Sequence, residues 1–159
     1  MGSPEALVDQ WFKFYEMTVV FTGVHFKPGK KALDSSTLSG SVVDDIIKLL
    51  PPGWEFKKVN LYQCEYLPSG EEAEEQERWF FNQVERFYEK TGGLIVYAFC
   101  GRMVEQRLKK WLVPGTYVPH PASIVYQKSR LDFISHCADI ISDRAQAQAD
   151  LVEYINRPL

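Results

Sequence analysis

Cysteine is scarce in this chain and arranged in no pattern that a metal would use. Cys64, Cys100 and Cys137 are widely spaced in 159 residues. No Cys-x-x-Cys pair or Cys/His ligand spacing occurs, which argues against a structural zinc or iron–sulfur site. No metal and no cofactor is expected. An odd number of thiols without a secretory signal fits reduced cysteines inside the cell, in cytoplasm or nucleus. The start of the chain lacks a basic stretch followed by an apolar one, so secretion is not indicated. No apolar run approaches the length of a membrane span, and no membrane association is expected. Positive charge is not in excess either, with 18 Lys and Arg against 21 Asp and Glu and a net charge of -3. That balance gives no overall pull toward nucleic acid; binding there would need a local basic patch. Internal repeats and low-complexity linkers are absent. Residues 1–159 are read as a single domain, monomeric by expectation.

Apolar and aromatic residues are plentiful, at 45% and 14% of the chain, which suits a packed core. Residues Pro4 to Glu16 have helical spacing of Ala6, Leu7, Trp11, Phe14 and Tyr15. Thr18 to Thr22 is an unbroken β-branched and apolar run, as expected of a strand buried on both faces of a parallel sheet. Ser39 or Ser41 can cap a helix carrying Val42, Val43, Ile46, Ile47 and Leu50, which Pro51-Pro52-Gly53 stops. A second strand runs through Phe56 to Tyr62 with a break near Asn60. The acidic stretch Glu71 to Glu77 reads as the solvated start of a helix, with Trp79, Phe80, Val84 and Phe87 as its buried stripe. Leu94 to Phe99 is a third buried strand. Gly101 then opens a helix with Val104, Leu108, Trp111 and Leu112 inward. Tyr117-Val118 ends a fourth strand. From about Gln127 to Asn156 the chain is helical, with Leu131, Ile134, Ile140, Ile141, Leu151, Val152 and Ile155 as apolar positions. Strands alternating with helices predict an α/β fold, three-layer α/β/α with a central parallel sheet of about four strands.

Three polar elements fall at carboxyl ends of these strands, where α/β proteins bind ligands. The first is the loop Gly23-Val24-His25-Phe26-Lys27-Pro28-Gly29-Lys30-Lys31, whose glycines permit close backbone approach. Its three lysines are a dense basic cluster. The second is Asn60. The third is Val118-Pro119-His120-Pro121-Ala122-Ser123. Pro119 and Pro121 fix φ and restrict the residues before them, so His120 sits on stiff backbone.

In this order and context the three elements resemble the uracil-DNA glycosylase superfamily. That superfamily carries a G-x-x-P-G-type motif after its first strand, an Asn at the end of a later strand, and a late His-Pro-Ser-type motif. The counterparts here are Gly23…Pro28-Gly29, Val59-Asn60-Leu61 and His120-Pro121-Ala122-Ser123. The resemblance spans roughly residues 18 to 135. It implies base excision: a damaged or unusual base such as uracil is flipped into a pocket and its N-glycosidic bond is cleaved. DNA would be the partner. Asn60 would read the base edge through its amide. Phe26 would stack on the base beside Gly23. His120 would donate a hydrogen bond to the departing base. Lys27, Lys30, Lys31, Ser39, Ser123 and Lys128 would meet the DNA, with Arg130 a further candidate and Tyr126 or Ile124 a wedge.

The chain departs from the family in motif one, which has two extra residues between Gly23 and Pro28, and at the position that follows its glycine. Just after the motif-one glycine, relatives place an Asp, Glu or Asn that positions or activates water. Here that residue is Val24, which leaves His25, Lys27 and Asp34 as the candidates. Two alternatives stay open. One is the same fold kept as an inactive nucleobase-, DNA- or protein-binding module. The other is an unrelated small α/β enzyme using His120 as a general base.

Overall fold

A computed structural model describes residues 16–158. The helix expected over Pro4 to Glu16 lies outside the described residues, apart from Glu16. Four strands are present: β1 (Thr18–Gly23), β2 (Glu55–Asn60), β3 (Ile95–Cys100) and β4 (Gly115–Val118). They form one sheet in the order β2-β1-β3-β4, and every pairing is parallel. All six residues of β1 and of β3 are buried. This is the burial that their unbroken apolar runs require.

The helices are α1 (Leu38–Lys48), α2 (Gly70–Lys90), α3 (Arg102–Leu108) and α4 (Arg130–Ile155), with 3-10 turns at Lys109–Trp111 and Pro121–Tyr126. Side chains alternate across the sheet as the strand period demands. Val19, Phe21, Val96, Ala98 and Val118 pack on one face with Val42, Val43 and Ile46 of α1 and Phe133, Ile134 and Ile141 of α4. Val20, Ile95, Tyr97 and Phe99 pack on the other with Phe80 and Val84 of α2 and Val104 and Leu108 of α3. The result is the expected three-layer α/β/α arrangement.

Several local expectations change. The cap of α1 is Thr37, whose hydroxyl accepts from the Gly40 N–H at 3.1 Å. Ser39 and Ser41 lie inside the helix because Gly40 must press against the preceding loop. A Cβ there would stand 1.9 Å from the Asp34 carbonyl oxygen. In α2 the buried face is Ala73, Glu77, Phe80 and Val84, and Trp79 is 49% exposed. Glu77 is therefore no part of a solvated helix start. It is 1% exposed and has partners on other elements: the hydroxyl of the buried Tyr62 donates to it at 2.7 Å, and Lys110, itself exposed, pairs with it at 3.1 Å. Leu112 points outward at 90% exposure. It takes a left-handed φ of 55° that ends the 3-10 turn, while Trp111 stacks on Phe81. The last helix begins at Arg130 under a Ser129 cap. Leu131, Leu151 and Ile155 are exposed, since the stripe of α4 runs through smaller residues, including Cys137, Ala138, Ala145 and Ala149.

The register sets the carboxyl ends level, with Gly23 opposite Asn60, Thr22 opposite Phe99, and Cys100 opposite Val118. After β1 the chain adds β2 on one side; β3 then joins on the other side of β1. The strand order thus reverses between β1 and β3, and a crevice opens outside their ends.

Candidate functional site

The loop after β1 is anchored to the chain after β2. Leu61 and Tyr62 donate their N–H groups to the carbonyls of Gly23 and Val24, both at 2.9 Å, and Phe26 N–H donates to the Cys64 carbonyl at 2.9 Å. Gly23 has to be glycine for this approach, since a Cβ would come within 2.8 Å of the Asn60 Oδ1. Further along, the Asp34 carboxylate accepts from the N–H groups of Ser36 (2.9 Å) and Lys31 (3.2 Å). These bonds, the Ser36 N–H foremost, pull its pKa down to about 2. Lys58 Nζ reaches from β2 to the Leu33 carbonyl at 2.8 Å and to Asp44 of α1 at 2.7 Å. The loop is held from both ends.

Asn60 closes β2 with 2% exposure. Its side-chain Nδ2 is buried and has no hydrogen-bond partner. Leaving such a donor unmade costs about 1–3 kcal/mol, and the residue stands in the wall of a cleft.

His120 follows β4 directly. Its Nδ1 accepts from the Ala122 N–H at 3.1 Å. Ser123 donates both its N–H (2.8 Å) and its hydroxyl (2.6 Å) to the His120 carbonyl. A neutral ring whose Nδ1 accepts must carry its proton on Nε2. Desolvation by the surrounding protein, then the charge of Lys27, holds the His120 pKa below its ordinary value. The ring is thus a neutral Nε2–H donor at neutral pH. Gly101, at a φ of 104°, leaves room beside it, since a Cβ would lie 3.2 Å from the His120 Cδ2.

His25 has the opposite arrangement. Its Nδ1 lies 3.1 Å from the Phe26 carbonyl oxygen, which can only accept. The Nδ1 therefore carries the proton, and the Nε2 of the neutral ring presents a lone pair.

One cleft of about 310 Å³ is lined by Gly23, His25, Asn60 and His120 together. Lys27, Lys30, Lys31, Asp34 and Ser39 line it too. Its apolar walls include Leu33, Leu67 and Met103, which nothing in the sequence marked out, because they are ordinary apolar residues placed by loop and helix register. Phe26 lines a neighbouring pocket of about 390 Å³ instead, together with Trp79, Phe87 and, again, Asn60. Asn60 is the residue common to both. Ser123 and Lys128 are not among the residues lining the cleft; the Ser123 hydroxyl is engaged by the His120 carbonyl. Arg130 is paired with Asp45 at 2.6 Å. Ile124 is buried and Tyr126 is 86% exposed, so of the two wedge candidates only Tyr126 is free to touch a partner.

Among the described residues no group of three or more His, Cys, Asp or Glu side chains is placed to hold a metal ion. No helix among them is long and apolar enough to cross a membrane. No family model, curated protein or solved structure matches the chain.

Proposed function

We propose that this protein is a DNA glycosylase-like enzyme that cleaves the N-glycosidic bond of uracil or another damaged base flipped into the His120 cleft. One observation carries this reading. The buried, unpartnered Nδ2 of Asn60 shares a cleft with the free Nε2–H of His120. An amide that reads a base edge and a neutral donor that meets the departing base are two things base excision needs in one pocket. The volume of about 310 Å³ is at the small end of ligand sites, as fits one base.

The expected sequence of events uses the chain's own groups. Lys27, Lys30 and Lys31 attract the phosphates at the cleft mouth, which makes affinity fall with salt. The extruded base meets Asn60, whose Nδ2 gains its missing acceptor. As the C1′–N bond breaks, its electron pair moves onto the base, and the His120 Nε2–H stabilises that developing charge. A neutral donor serves here without adding charge to a cationic cleft. The test is incubation with oligonucleotides carrying a panel of lesions, scored for released base and for strand breaks after alkali.

Val24 favours a second reading. With no carboxylate or amide just after Gly23, the same cleft could hold a base or abasic site without cleaving it, or serve a protein partner. In that case the panel yields binding and no released base.

A further inference from the structure

The two cleft histidines are set in opposite tautomers by their neighbours. His120 Nδ1 accepts from a backbone N–H, which leaves Nε2–H as a donor. His25 Nδ1 faces a backbone carbonyl, which leaves Nε2 as an acceptor. Both line the same cleft. From this pairing we propose that His25 is the catalytic base of the site: its Nε2 takes a proton from the water that attacks the sugar, while His120 Nε2–H meets the base that leaves. The inference rests on the glycosylase reading above and deepens it.

The remaining cleft groups suit this role less well. Asp34 lines the cleft, but both its carboxylate oxygens accept backbone N–H bonds. Those bonds lower its pKa to about 2, which leaves it a weak base. Lys27, Lys30 and Lys31 carry ammonium groups, which have no lone pair to accept a proton. Lys30 is also tied to the Ser36 hydroxyl at 2.9 Å. Val24, at the usual position, has no polar atom. An imidazole is the side chain suited to taking and giving a proton near neutral pH.

The step balances without any further reagent. Water oxygen bonds to C1′ as the C1′–N bond breaks. The water proton passes to His25 Nε2, and the bond's electron pair leaves with the base. The base, hydrogen-bonded to His120 Nε2–H, takes up a proton on release, and His25 returns its own to solvent.

The test is single-turnover excision on whichever panel lesion the wild type cleaves best, with His25→Asn and His25→Ala. The Asn amide keeps a donor where Nδ1 stood and has no acceptor where Nε2 stood. Both variants should be slower by about 10²- to 10⁴-fold, the range of a positioned general base. Added imidazole should restore much of the rate to His25→Ala, whose emptied site admits it, and little to His25→Asn. Rescue is a signature that a merely structural histidine would not give. Wild-type turnover in His25→Asn would overturn the assignment of His25 and leave the glycosylase reading standing. A slow His25→Ala that imidazole does not rescue would do the same. A wild type that releases no base from any lesion would remove both.

Discussion

Hydrogen-bond polarity sets what each cleft residue can do. His120 and His25 are the same residue type, but backbone neighbours give them opposite faces to the cleft. In sequence they are distinguishable only by motif, because the tautomer depends on an Ala122 N–H and a Phe26 carbonyl that appear only after folding. Gly23 offers a test of Asn60. A Cβ at position 23 would stand 2.8 Å from Asn60 Oδ1, so Gly23→Ala must turn the amide away. The expected outcome is a loss of discrimination between the preferred base and its nearest competitor by about 10- to 100-fold, the worth of one or two buried hydrogen bonds. Asn60→Ala should move the same ratio in the same direction. Competitive excision of two lesions in one reaction measures it. An unchanged ratio in both variants would mean that Asn60 does not read the base.

Among the elements, the loop after β1 and the helix α2 carry the electrostatics that the sequence concealed. Asp34 has a folded pKa of about 2 against an ordinary 3.8. A carboxylate with a depressed pKa adds stability above its unfolded value and loses it as pH falls through the folded one. The Ser36 and Lys31 amide bonds should therefore survive to well below pH 3.8 and open as pH approaches 2. The Ser36 amide resonance followed by acid titration reports this, and a midpoint near the ordinary carboxylate value would contradict it. In α2, Glu77 reads as one more charge in an acidic run, since sequence spacing cannot reveal that Tyr62 and Lys110 wait for it on other elements. Glu77→Ala leaves the buried Tyr62 hydroxyl without its acceptor and should cost about 1–3 kcal/mol. Glu77→Gln keeps an acceptor and should cost less. Denaturant unfolding of the two variants gives the comparison.

For the molecule as a whole, the parallel sheet was legible because β1 and β3 are buried on both faces and so had to be apolar throughout. The alternation of strand and helix supplied the layers. The convergence of the loop at Gly23, Asn60 and His120 was legible too, since parallel strands bring their carboxyl ends to one edge. What stayed hidden depends on contacts between distant elements. Phe26 belongs by sequence to motif one, yet a bond from its N–H to Cys64 carries it to the pocket next door. Trp79 and Leu112 followed apolar spacing, but the faces of their helices were fixed by Glu77 and by a left-handed turn. The glycosylase reading depends on His120 acting in the transition state, as a donor to the departing base. The measurement that decides it is alkali-dependent strand cleavage across the lesion panel by wild type and by His120→Ala, with thermal unfolding of both as a control on the fold. Base excision predicts that wild type cleaves at least one lesion and that His120→Ala is slower there by about 10²- to 10³-fold, with little change in unfolding temperature or in affinity for the lesion. Equal cleavage by the two proteins, or none by wild type at any lesion, would contradict it.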